Sequence, residues 1–202
     1  MGTLERKARE RISRENMILD AAEEVFFSRG FDQSTMDDVA KTAELSKGSL
    51  YNYFKNKNEL CIGIVGRSLR LLIKYMEKCL TKQATGLEKI SSMAKAFMLF
   101  KQENPEYYCA LQSYKQHSGG CGVDSKFLNS SMDENCHVNG LIIDLIKDGI
   151  NDASIKENVN PEKAANALWG EFNGMLPGFD LNTNSADSYE YALEIIINGL
   201  KK

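Results

Sequence analysis

The apolar residues of this chain recur with the period of an α-helix. Between residues 34 and 43 they share one helix face with the spacing i, i+3, i+4, i+7, at Met36, Val39, Ala40 and Ala43. No stretch shows the sustained alternation that is typical of a half-buried β-strand. The pattern therefore predicts an all-α protein.

Caps, prolines and glycines divide this pattern into successive helices. Asn56, Asn104 and Asn160 are placed to cap helices, the last two followed by proline, which suits the first helical position. The predicted helices cover about residues 8–29, 34–43, a short segment within 46–57, 57–81, 87–102, 105–114, 125–148, 161–176 and 186–200. We expect a surface loop at residues 117–122, where three glycines occur.

The two short helices between residues 34 and 57 predict a helix-turn-helix. Leu50 and Phe54 are four residues apart, so they share one face and can enter a core. The other positions leave polar groups and rings exposed, at Lys47, Ser49, Tyr51, Asn52 and Tyr53. Such a face suits the major groove of DNA, with lysines for phosphates and neutral polar groups for base edges.

The same residues resemble the tetracycline-repressor (TetR) family of transcriptional regulators. The matching positions are Gly30, Thr35, Val39-Ala40-Lys41-Thr42-Ala43 and the ordered run from Ser46-Lys47-Gly48-Ser49-Leu50-Tyr51 through Phe54 and Lys57 to Leu60. One departure is Glu44, where the family usually has glycine in the turn. We expect Glu44 to adopt a left-handed conformation at a cost of about 1 kcal/mol.

The resemblance implies two domains and a set of DNA contacts. Residues 1–56 would form a three-helix DNA-binding head, and residues 57–202 a helical bundle for ligand binding and dimerisation. The predicted DNA-binding residues are Thr35, Lys47, Gly48, Ser49, Tyr51, Asn52, Tyr53, Lys55 and Lys57. The long helix that begins at residue 57 would connect the two domains.

The net charge is −3, but positive charge is concentrated near the N-terminus. Five basic residues lie in the first fourteen, at Arg6, Lys7, Arg9, Arg11 and Arg14. Clustering of this kind matters more than the total charge for attraction to phosphates. We expect this N-terminal arm to contact the DNA backbone.

The body is rich in aromatic and thioether side chains. In the family that this sequence resembles, the corresponding region encloses a small-molecule pocket, and such pockets are mostly apolar. The predicted effector is therefore small and apolar or aromatic, and the candidate ligand-binding residues are Met93, Phe97, Phe100, Tyr108, Trp169 and Phe172.

The last two helices have broad apolar faces, formed by Ala164, Leu168, Phe172 and Met175 and by Ile195, Ile196, Ile197 and Leu200. The resemblance implies that they pair with their two-fold mates. A homodimer would present two recognition helices to a palindromic double-stranded operator, roughly 34–36 Å apart.

Two other classes of protein stay open at this stage. Cys109, His117, Cys121, Cys136 and His137 lie in one third of the chain, so a metal- or thiol-responsive regulator on the same fold is an alternative. The second is a small-molecule carrier or an enzyme that uses the bundle pocket. The common nucleophile, phosphate-loop and zinc-protease motifs are missing, so we expect no catalysis, no cofactor and no resident metal.

No apolar run approaches the roughly 20 residues of a membrane-spanning helix. The charged N-terminus also lacks the apolar core of a signal peptide. We therefore expect a cytoplasmic protein with no membrane partner.

Overall fold

The computed structural model describes residues 2–117, 126–174 and 185–202. Its helices, in chain order, are α1 (Thr3–Arg29), α2 (Met36–Thr42), α3 (Lys47–Tyr51), α4 (Lys57–Cys79), α5 (Gly86–Glu103), α6 (Pro105–His117), α7 (Lys126–Asn151), α8 (Pro161–Gly174) and α9 (Ser185–Leu200). Within these ranges, β-type backbone pairing is limited to one isolated antiparallel bridge between Ile155 and Lys201. The all-α prediction is confirmed.

Several helix boundaries differ from the prediction, among them those of α1, α3 and α6. Helix α1 begins at Thr3 rather than near residue 8, because the Gly2 N–H is bonded to the Glu5 carboxylate and ion pairs between residues four apart support the first turns. Helix α3 ends at Tyr51, and α6 reaches His117 instead of residue 114. The rest of the predicted loop, residues 118–122, lies outside the described residues.

Two hydrophobic cores are packed along the chain. The head core is formed by α1, α2, α3 and the first turns of α4, with Ile18, Ala22, Val39, Leu50, Phe54, Leu60 and Ile64 among its members. The body core begins one residue further along α4, with Val65, Leu69, Leu72 and Met76, and continues through α5 to α9. Helix α4 therefore belongs to both cores.

The predicted domain boundary between residues 56 and 57 stays a prediction. In the structure, Leu60 and Ile64 of α4 are fully buried against the head. The first two turns of the connecting helix are thus part of the head core, although they follow the predicted boundary.

Arg67 fixes α4 against α1 beside the head core. Its Nη1 lies 2.7 Å from Asp20 and 3.0 Å from Glu23, and its Nη2 donates to the Asn16 carbonyl at 2.9 Å. Burial disfavours the charge, but the two carboxylates outweigh it and raise the pKa of Arg67. A partly buried cation with this many partners orients the two helices as well as joining them.

Helix α5 begins in unusually close contact with the end of α7. The Gly86 N–H donates to Asp152 Oδ2 at 2.7 Å, and the Leu87 N–H donates to Ser154 Oγ at 3.2 Å. A Cβ added to Gly86 would lie 2.2 Å from the Gly149 nitrogen, well inside the contact limit. The junction therefore requires glycine at position 86.

The close contact at Gly86 and the open surroundings of Gly140 predict opposite effects when each glycine is replaced by alanine. Gly86→Ala should destabilise the protein by about 1–3 kcal/mol, because the new methyl group meets backbone that cannot move aside cheaply. Gly140→Ala, in α7, should stabilise by about 0.5–1 kcal/mol, because a Cβ there meets nothing within 4 Å. Thermal unfolding at one fixed protein concentration compares them. Equal shifts would contradict the assigned close contact.

Candidate nucleic-acid interface

Helix α2 is set by a capping box at its N-terminus. The Asp38 N–H donates to Thr35 Oγ1 at 3.2 Å, and the Thr35 N–H donates back to Asp38 Oδ2 at 2.9 Å. The Thr35 hydroxyl also donates to Asp38 Oδ2 at 2.6 Å, and the bonds that the carboxylate accepts from the Thr35 hydroxyl and N–H hold the pKa of Asp38 below its usual value. Ser34, which precedes the cap, is buried and donates to the Gly30 carbonyl at 2.6 Å.

The turn between α2 and α3 contains the expected left-handed residue. Glu44 has a φ of 53°, which confirms the conformation inferred from its position. Its N–H donates to the Lys41 carbonyl, and the Leu45 N–H donates to the Ala40 carbonyl at 2.8 Å. The turn therefore closes by backbone bonds and directs the chain into α3.

Helix α3 is short, and tertiary packing fixes its orientation. Leu50, in α3, and Phe54, just after it, are both fully buried in the head core, as predicted. The Ser46 side chain accepts from the Ser49 N–H at 3.2 Å and caps the helix. With one face anchored, the opposite face is presented to solvent.

The exposed face of α3 and the residues after it are polar and aromatic. Lys47, Gly48 and Asn52 are exposed, Tyr51 retains 48% of its accessible surface, and Ser49 and Tyr53 are half-buried. A Cβ added to Gly48 would meet no atom within 4 Å, so packing inside the free protein does not require a glycine there. Close approach of another molecule would require one.

A polar cleft adjoins this face. It has a volume of about 460 Å³ and is lined by Lys7, Glu10, Arg11, Arg14, Asn52 and Tyr53. The Arg11 guanidinium lies 5.5 Å from the centre of the Tyr53 ring, which positions α1 beside the end of α3. The first turns of α1 thus add cations to the face formed by α3.

The arm predicted to contact phosphates is therefore helical. Lys7, Arg11 and Arg14 have the spacing i, i+4, i+7 and so share one side of α1. The sequence contains this spacing, but the predicted helix began near residue 8 and therefore did not include Lys7.

Lys57 has a role that the sequence did not indicate. Its Nζ donates to the Phe31 carbonyl at 2.7 Å and to the Ser34 carbonyl at 3.0 Å, with Asp32 O at 3.5 Å. The ammonium also lies 4.3 Å from the centre of the Phe31 ring. An ammonium has three N–H donors, so these three carbonyl oxygens match the number of hydrogen bonds that it can donate. Lys57 thus joins α4 to the α1–α2 loop in the free protein, and its predicted contact with DNA stays a prediction.

Lys47 and Lys55 differ from Lys57 in their surroundings. Lys47 forms an ion pair with Asp37, which raises the pKa of the lysine. Both partners are exposed, and such pairs contribute little, so Lys47 can exchange this carboxylate for a phosphate. The Lys55 side chain is exposed, while its N–H donates to Glu59 Oε2 at 2.8 Å.

Four of the six predicted ligand-binding residues are buried in the body core, namely Met93, Phe97, Phe100 and Tyr108. The Phe97 ring contacts the other two rings, with its centroid 6.0 Å from that of Tyr108 and 6.5 Å from that of Phe100. Trp169 is half-buried and donates from Nε1 to Asn135 Oδ1 at 3.1 Å. The Phe172 side chain lies outside the described residues.

The cysteine and histidine cluster is only partly described, because the side chains of His117 and Cys121 lie outside the described residues. Among the side chains that the structure does describe, no group of three potential metal ligands is present. Cys61, Cys79, Cys109 and Cys136 are free thiols.

Among the helices of the described residues, none is long and apolar enough to cross a membrane.

Comparison with known proteins identifies this arrangement. Residues 18–63, which include α2, α3 and the start of α4, match the family described as bacterial regulatory proteins, tetR family. Residues 18–63 therefore belong to the tetR family. The chain is a DNA-binding transcriptional regulator with a helix-turn-helix head. The tetR match covers the head, and whole-chain comparisons extend the similarity to the body.

The fatty acid metabolism regulator protein of Bacillus subtilis is 24% identical over 194 residues, which are 91% of this chain and 93% of that protein. The FadR structure from Bacillus subtilis in complex with stearoyl-CoA aligns with a TM-score of 0.70 at 21% identity, over 91% of this chain and 98% of that one. AibR in complex with isovaleryl coenzyme A and operator DNA aligns with a TM-score of 0.66 at 13% identity, over 90% and 97% of the two chains. FadR is described as a transcriptional regulator, and AibR was solved with operator DNA.

Lys55, which precedes α4, and Lys57, its first residue, are predicted to have different DNA-binding phenotypes when substituted. Lys57→Met should lower the melting temperature, because it removes the donor from the carbonyls of the α1–α2 loop. It should weaken DNA binding without changing the dependence on salt. Lys55→Met, the matched control, should leave the melting temperature unchanged and reduce the salt slope by about one.

Fluorescence anisotropy over a series of salt concentrations measures both slopes. A smaller slope for Lys57→Met, with an unchanged melting temperature, would show that its ammonium contacts phosphate after all.

Proposed function

We propose that this regulator is a homodimeric repressor that binds a palindromic operator and is released by a small effector held in the body. The observation that supports the DNA-binding part is the contiguity of the polar face of α3 with the cationic cleft of α1. The first offers groups for base edges and the second offers charges for phosphates. Residues 1–56 and 57–202 are the proposed DNA-binding and ligand-binding domains.

Within this interface we assign two roles. Tyr51 and Asn52 are the proposed base-contacting residues, with Gly48 permitting close approach and Ser49 and Tyr53 flanking them. Lys47, Lys55 and the α1 cations Lys7, Arg11 and Arg14 are the proposed phosphate contacts. Thr35 caps α2 and remains exposed, so its place at the interface is next to the DNA backbone.

These roles predict distinct losses of affinity. Tyr51→Ala should weaken binding to a duplex selected from a random library by about 1–3 kcal/mol, while binding to random DNA changes little. Arg14→Ala should weaken both duplexes by similar amounts, because a phosphate contact is independent of sequence. Gel shifts with both duplexes measure the difference. Unchanged affinity for the selected duplex in Tyr51→Ala, with the fold intact, would refute the proposed recognition role of α3.

The dimer part is supported by the exposed apolar surface of α9. Tyr191 and Ile195 retain 67% and 56% of their accessible surface, while Ile196 and Ile197 are partly buried against the body core. Large apolar side chains at this exposure, on the last helix, suit a partner of the same kind. We propose that α8 and α9 form the two-fold interface.

Ile195 provides a sharper test of this interface than Ile196, which also packs inside the subunit. Ile195→Glu should give a folded monomer that loses operator binding, because the carboxylate would be buried without a partner in the dimer. Glu194→Gln, on the same helix, is the control and should remain dimeric. Light scattering at micromolar concentration gives the mass. A wild-type monomer under these conditions would contradict the proposal.

The effector part is supported by the connection that α4 makes between the cores. A ligand weakens operator binding only through its different affinities for the two states, and a hundredfold effect needs about 2.7 kcal/mol of coupling. Trp169, which links α8 to Asn135 in α7, is the natural fluorescent reporter. Acyl-CoA thioesters are the first effectors to examine, because FadR and AibR were solved with such molecules.

A further inference from the structure

A second cavity lies where α1, α4 and α6 meet. Its volume is about 340 Å³, and it is lined by Phe26, Phe27, Gly30, Phe31, Cys61, Ile64, Pro105, Glu106, Cys109 and Ala110. None of the six residues predicted to bind the effector is in this set. The cavity is therefore distinct from the predicted ligand pocket in the body.

The floor of this cavity is apolar. Phe26, Cys61 and Ile64 are buried members of the surrounding packing, and the Phe26 and Phe31 rings contact edge to face at 5.4 Å. Burial raises the pKa of Cys61 to about 11, so that side chain is a neutral thiol at physiological pH. An apolar ligand group would meet aromatic edges and a soft sulfur here.

The mouth of the cavity has a different character. Pro105, Glu106 and Cys109 of α6 are exposed, and Glu106 is the single ionisable carboxylate among the lining residues. On the α4 side, the Lys57 ammonium lies over the Phe31 ring. A ligand with a positive charge would therefore direct it away from Lys57 and toward Glu106.

The surrounding contacts connect the head to the body. The Phe27 ring of α1 contacts the Tyr107 ring of α6 edge to face at 5.3 Å. Ser68 of α4 donates to the Tyr107 carbonyl at 2.9 Å. Burial, together with the Glu23 carboxylate, raises the pKa of Tyr107 to about 12. Tyr107 packs against both hydrophobic cores, so this junction is where the head is seated on the body.

We propose that the cavity between α1, α4 and α6 is a binding site for a compact aromatic amine, and that its occupancy changes operator affinity. The aromatic part would occupy the floor and the ammonium would lie at the mouth beside Glu106. This inference concerns regulation of the proposed DNA-binding function, but the site itself does not depend on that function.

The size of the cavity limits the ligand. An apolar cavity of roughly 150 Å³ accommodates benzene. A volume of about 340 Å³ therefore suits a two-ring aromatic group with a short amine arm. Because Glu106 is exposed, its attraction for a cation is weak and would improve binding only about two- to fivefold.

Occupancy would act on DNA binding through geometry. The lining comes from α1 of the head, from α6 of the body and from α4, which joins them. A ligand in contact with all three favours the head position in which these surfaces are correctly spaced. Operator affinity and ligand affinity must then change by the same factor, since the coupling is reciprocal.

The site is tested with 1-naphthylmethylamine as the probe and with cysteine labelling as the readout. Cys109 lines the mouth, whereas Cys136, equally exposed and free, lies on α7 outside the cavity. The probe should slow alkylation of Cys109 in a saturable manner and leave Cys136 unaffected. Peptide mass analysis distinguishes the two thiols within one sample. Equal protection of both thiols, or of neither, would overturn the proposed site.

Two variants test the geometry. Ala110→Phe should fill the cavity and abolish protection of Cys109 by the probe. Glu106→Gln, a surface change that leaves the fold intact, should weaken the amine about two- to fivefold but leave 1-naphthalenemethanol unaffected. Its matched control is Glu77→Gln, which neutralises an exposed carboxylate on α4 outside the cavity. If both glutamate variants, or neither of them, lose the preference for the amine over 1-naphthalenemethanol, the role of Glu106 is contradicted.

The regulatory part is tested by measuring operator affinity with and without the probe. We expect about a tenfold change in wild type, none in Ala110→Phe, and a matching change in probe affinity when the operator is present. Saturable protection of Cys109 with unchanged operator affinity would support the site and overturn the coupling. Failure of the ligand-free protein to bind any selected duplex would instead refute the proposed DNA-binding function, and the labelling result would still stand.

Discussion

The structure depends on the burial of one helix in two cores. Leu60 and Ile64 of α4 complete the head, and the next residue, Val65, begins the packing of the body. A rigid helix cannot change its contacts in one core without some movement in the other, because protein interiors are closely packed and have few voids. Any rearrangement of the body must therefore reach the head through α4 and the elements that contact it.

Polar contacts restrict that movement further. Arg67 connects the middle of α4 to α1, and Lys57 connects its N-terminus to the loop that precedes α2. Both are charge-assisted bonds in partly buried surroundings, where a displaced cation would lose several partners together. A displacement of α4 would therefore act directly on α1 and on the α1–α2 loop of the head.

This arrangement gives the regulator two regions at which a ligand could act. The body core, with its aromatic contacts around Phe97, is one region, and the cavity at the junction of α1, α4 and α6 is the other. A ligand in the body would act on the head through α4. A ligand at the junction would contact both parts directly. The chemistry also differs, since the junction has an exposed carboxylate at its mouth, at Glu106.

The sequence by itself determined the helical class, the helix-turn-helix and much of its local geometry. Caps such as Ser46 and the left-handed Glu44 follow from interactions within a few residues, which a sequence pattern records directly. Only the tertiary structure decided which lysine side chain is bonded to the protein's own backbone. Lys55 and Lys57 are alike in sequence, but the carbonyl partners of Lys57 lie more than twenty residues away. The junction cavity could not be predicted from the sequence for the same reason, because its lining residues come from helices that are distant in the chain.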